Sequence, residues 1–452
     1  MSYMLKDTVL NLFYFDAIAQ VISYLVLLIC LIAFSFANRY LEGDSYRNNF
    51  LWHLVLLGIS VITMANADHV WLFFTAWVAG NWLLVRMIIH NPNWKMAENT
   101  GKLATKNFAF SSFCIGLGLL YLQILSSEIS IQNIILTAFK INDEKKDIAL
   151  FLIMIGAAGQ SAIWPFHRWL ISSLNAPTPV SALMHAGLIN GGGFILIRFS
   201  PLYANEPVLL NVLFCLGIAT AILATFWKLA QSNNKRMLAN STVAQMGFMF
   251  AQCGLGLFSA ALCHICWHGL FKAYLFFAAG SAASEKKLPR STRPKMSSLV
   301  IALLLGVIGS YVFAHASGKV WVVANSNLVL TIVAFITSTQ FALTVLSTHP
   351  LHNFFAASIF TFMGAYIYGG SIGIILNYLS PLYIDSPQPL NFFHIIGMSI
   401  ILGSWLLYSF RGYWQDYTIS KKIYAWLYVR TLNASQPHPS TITAHHNDYR
   451  YN

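Results

Sequence analysis

Charge is what this sequence has least of. Of its 452 residues, 27 are Lys or Arg and 15 are Asp or Glu, so 9% are charged. A water-soluble chain carries about 25% of these residues, or about 110 at this length. So few charges cannot clothe a soluble body of 50.5 kDa, which excludes soluble enzymes, disordered proteins and nucleic-acid binders. Cysteine is equally sparse. Cys30, Cys114, Cys215, Cys253, Cys263 and Cys266 all fall in apolar runs and read as small buried hydrophobes, not a disulfide framework or a zinc knuckle. There is no phosphate loop, dinucleotide fingerprint, GxSxG elbow or haem attachment motif. A basic head, short apolar core and small-residue cleavage site do not follow one another at the N-terminus, so no removable signal peptide is expected.

What the chain has is apolar length. Hydrophobic residues make up 57% of it, the mean hydropathy is +0.61, and it reads as an integral membrane protein. A spanning helix needs roughly 20 mostly apolar residues. Qualifying runs centre on 17–38, 50–66, 69–90, 107–126, 148–166, 179–199, 207–228, 237–254, 257–283, 297–315, 327–347, 353–380 and 391–410. Thirteen spans are thus expected in an all-α polytopic fold. The run 237–254 carries Asn240, Ser241, Thr242 and Gln245, a polarity tolerated only where protein or a wet cavity surrounds it.

With this count, 19 of the 27 basic residues fall on one side and six (Lys6, Lys140, Lys145, Lys146, Arg198, Lys319) on the other. Arg86 and Lys272 remain within spans. The excess of Lys and Arg marks the cytoplasmic side, so the N-terminus is expected outside and the C-terminus in the cytoplasm of a prokaryotic inner membrane. Residues 1–412 form the membrane domain. Beyond it, Ile419, Ile423, Trp426 and Leu427 recur beside Lys421, Lys422 and Arg430, which predicts an interfacial amphipathic helix. The rest of 413–452, with two prolines and few apolar residues, reads either as a frayed tail or as a segment that docks a partner.

Polar groups inside a membrane are costly and are functional candidates by default. His264, His268 and Lys272 recur every four residues, so they share a helix face at about 6 Å intervals. Histidine exchanges protons near neutral pH, and a desolvated lysine can join it. A proton ladder is one reading. Helix-to-helix bonding is a second, and zinc held with a cysteine a third, although no carboxylate separates the histidines as in HExxH. Pro177 and Pro179 precede the sixth span and Gly191, Gly192 and Gly193 weaken its centre. His185 lies between these two breaks in what reads as a broken helix around a wet cavity. Gln160 sits mid-span among small residues that let helices approach closely. Asp68 reads as a cap of the third span, and Lys235 and Arg236 as charges heading the eighth.

The run GQSAIWPFHRWLISSLNAPTPVSALMHAGLINGGG, with KRMLANSTVAQMGFMF and HICWHGLFKAYLFFAAGS further on, resembles the antiporter-like proton-channel subunits of respiratory complex I and the Mrp antiporters. The resemblance covers about residues 60–285. It implies two inverted five-helix repeats, each with a broken helix. It also implies a proton path through His185, Lys235, His264, His268 and Lys272, with Asp68 at the start of a helix and Gln160 where that family has a lysine. The family's Trp-Glu pair reads Trp77-Val78 here, and the distal lysine of its second half has no clear counterpart after residue 300.

Among these relatives the chain is most similar to the membrane subunit of Dab-type inorganic-carbon transporters. That resemblance implies a large zinc-binding DabA-like, carbonic-anhydrase-like partner on the cytoplasmic side. Zinc would belong to the partner, with no cofactor, metal or covalent chemistry in this chain. The expected function is proton conduction energising uptake of CO2 or bicarbonate. The alternatives are a divergent proton- or sodium-translocating subunit of a complex I-like or Mrp-like assembly, and a scaffold with an inactive channel.

Overall fold

A computed structural model describes residues 12–141, 144–279, 296–346, 353–382, 385–410 and 418–442. Several basic residues of the side-to-side comparison (Lys6, Lys286, Lys287, Arg290, Arg293, Lys295, Arg411, Arg450) and the tail beyond 442 lie outside them. The described residues form helices α1 (Ala17–Tyr40), α2 (Arg47–Asn66), α3 (Val70–Ile89), α4 (Lys95–Ser126), α5 (Ile131–Phe139) and α6 (Glu144–Gln160). They continue as α7 (Arg168–Ser172), α8 (Thr178–Ala186), α9 (Gly191–Arg198), α10 (Ser200–Tyr203), α11 (Pro207–Ala230) and α12 (Asn234–Gly254). The last are α13 (Phe258–Phe277), α14 (Met296–Ala316), α15 (Asn327–Leu346), α16 (Phe354–Leu379), α17 (Phe392–Ser409) and α18 (Thr418–Ala434).

A helix lies at each of the thirteen expected runs. Eleven helical stretches among the described residues are long and apolar enough to cross a membrane. The other two runs are α6, only 17 residues long, and the polar α12. Contacts at the helix ends define two faces. On one, Asp16 pairs with Arg198, Lys146 with Glu206 at 2.7 Å, and Phe13 and His69 bridge to Ala67 and Ser130. On the other, the basic face, Asp44 bonds His90 at 3.0 Å and residues 435–441 lie against the ends of α4, α7, α11 and α12. Large apolar side chains such as Leu304, Ile308, Phe360 and Ile374 point outward from α14 and α16, where lipid can cover them.

α8–α9 is the most enclosed crossing, and α16 and α17 the most open. Close glycine contacts fix α12 between its neighbours. A Cβ on Gly217 would lie 2.4 Å from the Ala251 nitrogen, on Gly247 2.6 Å from the Ala221 nitrogen, and on Gly254 2.3 Å from the Phe214 nitrogen. This small-residue contact between α11 and α12 substitutes for an apolar driving force that lipid does not supply. It also explains the polar sequence of α12: Asn240, Thr242 and Gln252 are fully buried in protein.

Two details differ from the sequence reading. The break in the sixth span falls at Gly187 and the 3-10 turn Leu188–Asn190, a turn ahead of the glycine run. Gly191–Gly193 are themselves helical, and their role is close approach. A Cβ on Gly192 would sit 2.2 Å from the Ala157 carbonyl oxygen, and one on Gly193 2.3 Å from Met249 Sδ. A second break, not expected within 148–166, separates α6 from α7 directly after Gln160, where Ala162 adopts φ 53°. α14, by contrast, runs unbroken.

Candidate functional site

The site is built on one face of α13. His264 and His268 stack with ring centroids 5.9 Å apart and planes 10° from parallel, as four-residue spacing requires. One turn on, Lys272 is almost fully buried and donates from Nζ to the Leu238 carbonyl of α12 at 3.1 Å. The Thr242 hydroxyl donates to the same carbonyl, also at 3.1 Å. That hydroxyl shares a 3.0 Å hydrogen bond with His185 Nδ1. While its own hydrogen is on Leu238, Thr242 can only accept, an arrangement that requires the Nδ1–H tautomer of His185. His185 stacks on Phe276 at 4.6 Å and lies within electrostatic reach of Lys272 and His268.

Side chains from α12 and α13 therefore meet on one backbone carbonyl, and His185 of α8 joins them through Thr242. Gly269 permits this, because a Cβ there would lie 2.8 Å from the Ala186 carbonyl oxygen. Both ring nitrogens of His268 and Nε2 of His264 are buried without a protein hydrogen-bond partner. Buried polar atoms of this kind call for water or an exchanging proton. The structure thus brings His185, His264, His268 and Lys272 together.

The remaining candidates lie elsewhere. Lys235 stands in the first turn of α12 at the basic face, one turn before Leu238. Gln160 ends α6 and donates from Nε2 to Asn81 Oδ1 at 2.8 Å and to the Leu188 carbonyl at 3.3 Å. They border a cavity of about 50 Å³ lined also by Trp77, Asn190 and Ile265. Trp77 Nε1, Asn81 Nδ2, Gln160 Oε1 and Asn190 Oδ1 have no protein partner, so the cavity offers polar partners and room for about three waters. Ile265 places it beside the α13 face.

Asp68 is far from this group and does not cap the third span. His69 caps α3. Asp68 instead accepts from Ser130 Oγ at 2.6 Å and from the Gln132 nitrogen at 3.1 Å, because its carboxylate points across the face to the unsatisfied N–H groups at the start of α5. Among the described residues no group of three or more His, Cys, Asp or Glu side chains could hold a metal ion. Reading for carboxylates missed Asn81, an amide one turn after Trp77, and missed Thr242 as the link between His185 and Lys272.

The transmembrane family "NADH:quinone oxidoreductase/Mrp antiporter, TM" matches residues 67–308. A "Probable inorganic carbon transporter subunit DabB" of Bacillus anthracis is 34% identical over 312 residues, which is 68% of this chain and 61% of that protein. "NADH-quinone oxidoreductase subunit L" of Campylobacter jejuni is 29% identical over 344 residues, covering 72% of this chain and 57% of that protein. The chain thus spans about three fifths of the length of these relatives. In fold it is similar to a chain of the Mrp complex from Dietzia sp. DQ12-45-1b, with a TM-score of 0.57 and 19% identity over 96% of this chain and 50% of that one.

Proposed function

Because the chain belongs to the NADH:quinone oxidoreductase/Mrp antiporter transmembrane family, we propose that it conducts protons as the membrane subunit of an energy-coupled dissolved inorganic carbon transporter. The observation that carries the proton part is the line His264–His268–Lys272–Leu238 carbonyl, which runs toward the basic face and is joined there by His185 through Thr242. Protons arrive from the face opposite the basic one, pass down the α13 ladder and leave beside Lys235. The carbon part rests on the identity to inorganic carbon transporter subunits.

The basic face is cytoplasmic in this reading. Its support is charge bookkeeping: on the opposite face Arg198 and Lys146 are neutralised by Asp16 and Glu206, leaving the excess of cations on the basic side. A partner with a carbonic-anhydrase-like zinc site would sit on that face. There the segment 435–441 is already seated, with Gln231 bonding Ser435 Oγ at 2.5 Å, Arg236 bonding Gln436 at 2.8 Å and Asn175 bonding the Thr441 carbonyl at 2.9 Å. The tail thereby flanks Lys235 and would report partner binding to the proton exit.

The experiment is affinity purification from the native membrane with metal analysis of whatever accompanies the chain, paired with isotopic bicarbonate uptake. A zinc protein at fixed ratio and uptake abolished by a protonophore are expected. The match to a family that takes in Mrp antiporters supports a second reading, a divergent proton- or sodium-translocating subunit. Flux that requires sodium and ignores inorganic carbon would establish it instead.

A further inference from the structure

The cavity at Gln160 takes no part in the proton ladder, and it is not alone. It adjoins a second chamber of about 20 Å³, and the two share Val26, Ile29, Val61, Gly187 and Leu188 in their walls. The smaller chamber is lined only by apolar side chains and glycine. The larger has four polar side chains in an otherwise apolar wall: Trp77, Asn81, Gln160 and Asn190. Among the described residues, none that lines either chamber is ionisable. The smaller chamber lies between α1 and α2, whose outer sides expose Leu27, Leu31, Val55 and Ile59 where lipid covers them.

The two helix breaks set the polarity of the larger chamber. Gln160 Nε2 donates to the Leu188 carbonyl, and Asn190 Nδ2 donates to the Ala186 carbonyl at 2.7 Å. A carbonyl can only accept, so these bonds fix which way both amides point. Gln160 Oε1 and Asn190 Oδ1 are left as acceptors without a protein partner. Asn81 Oδ1 takes the other Gln160 hydrogen bond, which leaves Asn81 Nδ2 a free donor beside Trp77 Nε1. Two donors, two acceptors and no charge suit a small neutral molecule. An ion would give up its hydration for neutral partners, which is costly, so bicarbonate, sodium and hydronium are all disfavoured. Carbon dioxide matches the arrangement. Its terminal oxygens accept hydrogen bonds, as Trp77 and Asn81 offer. Its electron-poor carbon attracts oxygen lone pairs such as those of Gln160 and Asn190, as one carbonyl attracts another. Room for about three waters admits a rod of three atoms.

We propose that the chamber at Gln160 binds CO2, which reaches it from the lipid by way of the apolar chamber between α1 and α2. This rests on the reading of the chain as an inorganic carbon transporter subunit, and it names CO2, not bicarbonate, as the form the chain handles. It also gives the amide pair Asn81–Gln160 a purpose, because a charged pair there would hold its water and bar an apolar gas. The competing occupant is water alone, which the same four polar atoms can bind.

Infrared spectroscopy separates the two. The full-length chain in lipid nanodiscs is equilibrated with isotopically labelled CO2, and its spectrum is compared with that of empty nanodiscs. We expect one narrow antisymmetric-stretch band, displaced from that of CO2 in lipid or water and saturating at one molecule per chain. It should follow dissolved CO2, not bicarbonate, as the pH is changed at fixed total carbon. Val61→Phe, which fills the wall common to both chambers, should abolish the band. Asn81→Leu, similar in shape but without the donor, should move it. If Val61→Phe fails to fold, Gly191→Ala replaces it and should weaken the band. Its methyl would meet Trp77 Cη2 at 3.4 Å and Gln160 Cγ at 3.5 Å, ordinary contacts that shrink the chamber without strain. Isotopic carbon uptake is measured in parallel. Normal uptake by a parent that shows no band, a band that follows bicarbonate, or a band unchanged in these variants overturns the CO2 site alone. A parent that takes up no inorganic carbon overturns the proposed function and this assignment with it, whatever the spectrum shows.

Discussion

Removing the middle rung tests the ladder most directly. His268 makes no hydrogen bond to protein through either ring nitrogen, so His268→Ala orphans no partner and changes little besides the path. His264 and Lys272 would then face each other across eight residues, about 12 Å of helix. Hydrogen-bonded steps of about 2.8 Å need about three waters to cross that gap, or about 90 Å³ at about 30 Å³ per water. The lost imidazole frees less than this, and both His264 and Lys272 are buried. A proton stranded midway is an uncompensated buried charge, which costs several kcal/mol. Even about 3 kcal/mol slows transfer on the order of a hundredfold. Lys272→Met, which keeps most of the volume and removes the charge, should match it. Gln160→Ala should do far less, since an amide neither takes up nor releases a proton at physiological pH. The assay is isotopic bicarbonate uptake with proton flux and protein level measured in parallel. Fatal Gln160→Ala beside normal His268 and Lys272 variants would refute the reasoning.

Three further outcomes are expected. A topology reporter fused after Asn452 should be active only as a cytoplasmic form, and activity on the other side would reverse the assigned faces. Gly217→Val should lower the folded yield in detergent, because overpacking costs about 1–3 kcal/mol and its side chain would meet the Ala251 backbone at 2.4 Å; Gly364→Val, with open space around its Cβ, should behave as the parent. At the basic face, the hydrogen bond from His90 holds the Asp44 carboxyl below its usual range. Its contribution to stability is therefore present above the unfolded pKa and lost as pH falls through the lower folded value. Asp44→Asn should lower the melting temperature at pH 7 and lower it progressively less as the pH falls below the usual carboxylate range; an equal loss at every pH would remove the ionic cause.

How far the residues spoke for themselves depended on the range of the interaction. His264, His268 and Lys272 were legible because helical period alone puts them on one face. The buried setting of α12 was legible because Asn240 and Thr242 could not face lipid. Positions set by contacts between distant segments were not. The break at Gly187 depends on where α8 meets α13, and the glycine run next to it drew attention away. Asp68 bonds across a face to Ser130, 62 residues on, and no local pattern announces such a reach. Asp385 accepts from the Ser259 N–H 126 residues away, in a stretch whose composition reads only as a loop.

The pair Asn81–Gln160 shows what such a contact changes. A carboxylate and an ammonium at the same 2.8 Å would attract by about 6 kcal/mol at an effective dielectric of 20, whereas a neutral hydrogen bond is worth about 1 kcal/mol net. An amide pair cannot store or release the larger sum when a helix shifts, and it cannot repel an arriving proton. It can hold water, and its cavity has the volume and the unpartnered polar atoms to do so. A switch driven by breaking an ion pair therefore has no footing at Gln160. Deep among the described helices, charge is left to Lys272, buried on α13 with its ammonium on a carbonyl and not on a carboxylate. On the proposed path Lys272, with no counter-ion holding it, would release its proton toward the basic face and take one from His268. In the proposed function, electrical coupling acts through that exchange.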